Sequence, residues 1–189
     1  MKIKIKMTGI CLMSAMALSL MTQAHAQTWT LTSESHLGFE IKSVGLMVVK
    51  GKFNRFNSKM HFDPKVPENA STELVMDINS LTLNKPALTN LIMSDAFFNV
   101  AHYQTATFKS SQFESLGNYH YRITGYLTLR GITQPVVLNS TLKPNANHPK
   151  RLDVQSYTVI NRSDFGMKKV LGGVGEKVNI QLSGQWQRI

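Results

Sequence analysis

The last stretch of the chain constrains the fold most. From Val178 to Gln187 the residues alternate, with Val178, Ile180, Leu182 and Trp186 on one side and Asn179, Gln181, Ser183, Gln185 and Gln187 on the other. A period of two marks an extended strand with one buried face. The alternation recurs at Trp29 and Leu31, at Leu37, Phe39 and Ile41, at Leu74, Met76 and Ile78, at Tyr121, Ile123, Leu127 and Leu129, and at Val136, Leu138 and Leu142. Leu152 to Ile160 adds a further run, and Gly51 inside LMVVKGKFNRF reads as a bulge or bend that lets a sheet curl. Turn signals separate these runs, among them Ser43-Val44-Gly45, Asp63-Pro64, Val66-Pro67, Gly131, Pro144 to Pro149 and Gly172-Gly173-Val174-Gly175. About eight such strands make an all-β protein, either a sandwich or a closed antiparallel barrel. In a barrel the apolar faces point inward, around a space that side chains fill or that holds one small ligand. Alternation alone leaves both interiors open.

The rhythm breaks once. Leu88, Leu91, Ile92 and Ala96 recur at spacings of three and four behind Asn84 and Pro86, which predicts one short helix, followed by the pair Phe97-Phe98. A lone helix in a β chain must bury one face, and the open end of a curled sheet is the natural place.

Residues 1–26 read as a secretory signal. Lys2, Lys4 and Lys6 precede an apolar run from Thr8 to Met21, and Ala24-His25-Ala26 is a small-x-small cleavage site. At 14 residues the run falls short of the roughly 20 that span a bilayer. Cutting after Ala26 leaves 163 of the 189 residues, Gln27 to Ile189, as a single domain expected to be exported. The one cysteine, Cys11, lies within the signal behind Ile10, a poor context for lipidation, so the remaining chain depends on its own core rather than on disulfides. Without the three signal lysines the net charge falls from +10 to +7. That excess favours anionic partners, a transient contact with an anionic membrane surface among them. No basic run exceeds Lys168-Lys169, which argues against nucleic acid.

Catalytic patterns do not emerge. His36, His61, His102, His120 and His148 are scattered without metal-ligand spacing, so no metal is expected. Ser140 and Lys143 match SxxK but lie an odd number of residues apart on a strand, facing opposite sides. Asp164-Phe165-Gly166 lacks the companion motifs of a kinase, and Gly173-Val174-Gly175 lacks the third glycine and following helix of a dinucleotide fingerprint. These absences point to binding rather than catalysis, with no catalytic residues and no cofactor.

Four segments then resemble a known family in their order: WTLTSESHLGFEIKSVGLMVVKGKFNRF, SDAFFNVAHYQTATF, GYLTLRGITQPVVL, and NRSDFGM followed by VGEKVNI. Together they are similar to the YceI-like family of bacterial periplasmic proteins, from Thr28 to Trp186. Departures fall in turns: Phe98-Asn99 and Tyr103-Gln104 stand where the family usually has an aspartate and a Tyr-Pro pair, and Lys177 follows Glu176 where an acidic residue is common.

The resemblance implies a lipocalin-like antiparallel barrel of about eight strands, with one short helix capping or flanking it. It also implies a bound polyisoprenoid lipid, a quinone or polyprenyl phosphate, held for storage or transport. On that basis the lumen would be lined by Phe39, Ile41, Leu74, Met76, Ile78, Leu91, Phe97, Phe98, Leu127, Leu129, Val136, Leu138, Phe165, Ile180 and Leu182. Arg162, Lys168 and Lys169 would meet the headgroup at the mouth. The alternative is a filled barrel that acts as an envelope stress or interaction protein without a lipid ligand, recognisable by an exposed apolar patch. Monomer and homodimer both remain open.

Overall fold

A computed structural model describes residues 27–43, 48–168 and 174–189. The signal reading, Lys169 and the turn residues Val44, Gly45, Gly172 and Gly173 lie outside the described residues. Eleven strand segments follow in order: β1 (Gln27–Leu31), β2 (His36–Ser43), β3 (Val48–Phe53), β4 (Phe56–Phe62), β5 (Ser71–Asp77), β6 (Leu81–Leu83), β7 (Thr105–Gly117), β8 (His120–Leu129), β9 (Ile132–Pro144), β10 (Arg151–Asn161) and β11 (Val174–Arg188). They form an antiparallel barrel, closed where β1 pairs with both β4 and β11.

Eleven segments make eight staves because three staves are broken in two. Both β1 and β2 run antiparallel to β11, with Leu31 opposite Trp186 and His36 opposite Ser183, so Thr32–Ser35 is an excursion within one stave. The excursion fits because Gly184 lacks a side chain. Its φ is +146°, and a Cβ there would stand 2.3 Å from the Ser35 hydroxyl. The pair β3 and β4 is broken at Asn54-Arg55, and β5 and β6 by the 3-10 turn Ile78–Ser80. Ser80 Oγ ties the last two breaks together, accepting from the backbone N–H groups of Asn54 and Arg55 at 3.1 and 2.9 Å and donating to the Asp77 carbonyl at 2.6 Å.

Above these breaks the wall is incomplete. The β5–β7 ladder ends at Asp77 opposite Thr105, and among the described residues β6 pairs with β3 alone. The connection between β6 and β7 fills that gap with a 3-10 turn (Pro86–Leu88), a single helix α1 (Thr89–Met93) and a turn carrying Phe97 and Phe98. The helix is shorter than its sequence spacing predicts, because the Ser94 hydroxyl bonds back to Leu91 O at 2.7 Å and the Ser94 backbone turns extended. Of the four spaced residues only Ile92 is fully buried.

Gly51 is not a bulge. The β2–β3 register runs unbroken through Phe39 opposite Gly51, and a Cβ at Gly51 would stand 2.5 Å from the Phe39 ring. The glycine gives the phenyl ring room to lie across the neighbouring strand.

Candidate apolar binding cavity

Two cavities lie inside the barrel towards its capped end. The upper one, of about 70 Å³, is bordered by Phe39, Ile41, Phe53, Met76, Ile92, Phe97, Phe98, Ala106, Leu127, Leu129, Ile160, Met167, Val178 and Ile180, together with Gly38 and Arg162. The lower one, of about 50 Å³, is bordered by Leu37, Leu74, Met76, Phe108, Leu127, Val136, Leu138, Ile180 and Leu182, with Ser156 and Thr158. Met76, Leu127 and Ile180 line both and form the partition between them. The roof is aromatic: the rings of Phe39, Phe53 and Phe98 pack mutually at 6.0–6.4 Å.

Most of the expected lumen residues converge here. Phe39, Ile41, Leu74, Met76, Phe97, Phe98, Leu127, Leu129, Val136, Leu138, Ile180 and Leu182 border one cavity or both. Three do not. Ile78 is fully buried in the turn between β5 and β6, Leu91 lies half-buried on α1, and Phe165 packs into the wall from outside the cavities. Ser156 and Thr158 escaped a search for apolar faces because they are polar, yet they share the inward parity of Leu152, Val154 and Ile160 on β10. Ser140 donates to Ser156 at 2.7 Å, which satisfies that hydroxyl inside the barrel.

Arg162 is the one charged residue on either lining, and it sits in the wall rather than at an exposed rim. Only 2% of its surface is exposed. It donates to the carbonyl of Gly175 at 3.0 Å and to that of Lys168, approaches Glu176 at 4.0 Å and lies 5.3 Å over the Phe97 ring. Desolvating a guanidinium is costly unless several partners compensate, and here backbone carbonyls, a carboxylate and a π-face do so together. Lys168 points outward and pairs with Asp95 at 2.9 Å, and its backbone N–H reaches Ala96 O at 2.9 Å, which tethers the helical cap to the segment after β10. That hydrogen bond from Lys168 holds the Asp95 carboxyl below the usual aspartate range. Among the described residues no group of three His, Cys, Asp or Glu side chains could hold a metal ion.

The family model for the YceI-like domain matches residues 29–186. The chain belongs to the YceI-like family. A UPF0312 protein of Pseudomonas paraeruginosa is 31% identical over 185 residues, which cover 95% of this chain and 96% of the relative. Among solved structures, BcnA of Burkholderia cenocepacia superposes with a TM-score of 0.74 at 22% identity, over 82% of this chain and 98% of its own. A polyisoprenoid binding domain from Saccharophagus degradans, implicated in plant cell wall breakdown, gives a TM-score of 0.67 at 16% identity, over 87% of this chain and all of its own. These likenesses agree on the barrel with its single short helix.

Within this YceI-like chain, the turn after the helix shows why Asn can stand where the family usually has Asp. Asn99 has a φ of +50°, a left-handed conformation that Asn and Asp both tolerate. Its carbonyl accepts from the N–H groups of His102 and Tyr103, so the backbone conformation closes the turn.

Proposed function

We propose that this barrel holds the hydrocarbon chain of an isoprenoid lipid, an isoprenoid quinone or a polyprenyl phosphate, and that it does so in the periplasm as a carrier or store. The observation that supports this most is the pair of apolar cavities stacked beneath the helical cap and separated only by Met76, Leu127 and Ile180. The Saccharophagus domain, named for polyisoprenoid binding, shares the barrel and supports the same ligand class. The signal-like residues 1–26 support an exported location.

The volumes say how binding must work. An engineered cavity of roughly 150 Å³ takes one benzene, so voids of about 70 and 50 Å³ are the collapsed form of a lumen. A chain of tens of carbons fits only as Met76, Leu127 and Ile180 move aside. Burial of each methylene is worth about 0.8 kcal/mol against water, but a lipid arriving from a bilayer begins in hydrocarbon and the gain nearly cancels. Selectivity then rests on shape and on polar contacts near the cap. Among the described residues Lys168 is the headgroup candidate there, Lys169 being the next in sequence, and Arg162 can join Lys168 only by releasing one of its present partners.

Mass spectrometry of organic extracts from natively purified protein tests this reading. Prenyl lipid should co-extract from the wild type, and Leu127→Trp, which fills the partition, should abolish it while leaving the protein folded. Extracts free of prenyl lipid would overturn the proposal.

A further inference from the structure

Besides the gap beneath the helical cap, the wall has a second one, between β9 and β10. Their ladder runs from Leu152 opposite Pro144 to Tyr157 opposite Asn139 and stops there. Both strands continue: β9 stays paired to β8 as far as Ile132, and β10 to β11 as far as Asn161. Between them the wall parts, and an outer groove lies along the parting. The 3-10 turn Arg162–Phe165 plugs it, with Phe165 buried to 1% exposure. Gln134 Nε2 on β9 donates to Asp164 O of this plug at 3.0 Å, and Arg130, in the turn between β8 and β9, donates to Gly166 O.

The groove and the lumen are nearly continuous. Val136 and Thr158 border both the outer groove and the lower cavity, and Ile160 borders both the groove and the upper cavity. One layer of side chains therefore separates solvent from both voids. The outer wall beside the slit is also unusually apolar. Tyr126 on β8, Val137 on β9 and Tyr157 and Val159 on β10 are 41–59% exposed. The registers make them neighbours, since Tyr126 faces Pro135, two residues from Val137, and Tyr157 faces Asn139, two residues on its other side. An exposed apolar cluster flanking a slit is the surface a hydrocarbon chain would cross.

Resting on the lipid-binding reading above, we propose that the slit between β9 and β10 is a lateral portal through which the hydrocarbon chain of a membrane lipid passes into the lumen. The Phe165 turn is its door. It swings on Gly166, whose φ of +70° ends the turn in a left-handed conformation. Because the apolar collar lies outside the door, the chain crosses from bilayer to lumen without traversing the polar Lys168–Asp95 side of the cap.

Two locks separate this route from the one under the helix. The mature chain has no cysteine of its own, so paired cysteines can be placed freely. V137C with V159C, joined by a short bismaleimide, ties the slit shut from outside the lumen. D95C with K168C, joined likewise, ties down the cap. Cross-linking is confirmed by intact mass. Uptake is followed from phosphatidylcholine vesicles carrying ubiquinone-10 or undecaprenyl phosphate, with protein separated by flotation and its lipid content measured over time. The slit lock should slow uptake about tenfold or more relative to the same variant before cross-linking, while the cap lock should leave the rate of its own uncross-linked form unchanged. Unchanged uptake through a locked slit, or equal or greater slowing by the cap lock, would overturn the portal while leaving lipid binding intact. Failure of the wild type to take up either lipid would instead overturn the lipid-binding reading and the portal with it.

Discussion

At the base of the barrel, where β1 closes the ring, Trp29, Met60, Phe62, Phe113, Tyr121 and Trp186 are each at most 5% exposed. Phe62 meets Tyr121 edge-on at 5.5 Å and Phe113 at 6.4 Å, and Trp29 donates to the Phe62 carbonyl at 3.2 Å. At the capped end, Phe39, Phe53 and Phe98 also meet, but over a void, and the wall around them is broken at β6 and again at β9–β10. The same residue types do opposite things. Complete hydrogen-bonded closure lets aromatic rings pack solid, whereas an interrupted wall leaves them roofing a space. The base therefore carries stability and the cap end carries capacity.

The division predicts how variants should separate. Phe62→Ala removes a fully buried ring from the solid end and should lower unfolding free energy by about 4 kcal/mol, measured by urea denaturation. The prenyl lipid recovered per folded molecule should stay unchanged, and a loss of lipid at full stability would break the division. Arg162→Met at the hollow end leaves the Gly175 and Lys168 carbonyls and Glu176 without their shared partner and should destabilise by about 3 kcal/mol. Unlike the base variant it should also speed lipid release, because Arg162 opens the turn that carries Phe165. An unaltered release rate would show that this turn does not move on its own.

The smallest effect belongs to Asp95→Asn. Both partners of the Asp95–Lys168 pair are well exposed, and the depressed carboxyl pKa means that its contribution is present above the unfolded value of about 3.9 and is lost as pH falls through the lower folded value. A slight difference in melting temperature between wild type and variant should be present at neutral pH and should vanish in acid. A difference that grew in acid would remove the tether from the account of the cap.

The sequence disclosed the inward faces of the strands because alternation is local and burial follows it. Phe39, Met76, Leu127, Val136 and Leu182 could be assigned to the interior for that reason. What alternation does not carry is continuity. The breaks at Thr32–Ser35 and Ile78–Ser80 depend on contacts between distant residues, Ser35 with Gly184 and Ser80 with Asn54, so the first stave reads as two strands while the breaks at Asn54-Arg55 and Ile78–Ser80 do not show. Ile78 keeps strand parity in the sequence yet sits in a turn for the same reason. Arg162 was legible as a basic residue beside a turn, whereas its burial arises from carbonyls of residues 168 and 175 that only the fold brings near. Gly51 suggested a bend because a mid-strand glycine signals either a kink or a close neighbour, and here the neighbour is the Phe39 ring.

Closure of the ring joins the first described strand to the last, since Trp29 lies opposite Arg188 and Leu31 opposite Trp186. Such a seam closes a loop that contains all the other described strands, and non-local pairings of this kind slow folding. The cylinder cannot be sealed until β11 has left the ribosome. Removing β1, or the Trp186–Arg188 end of β11, would unzip the solid half first.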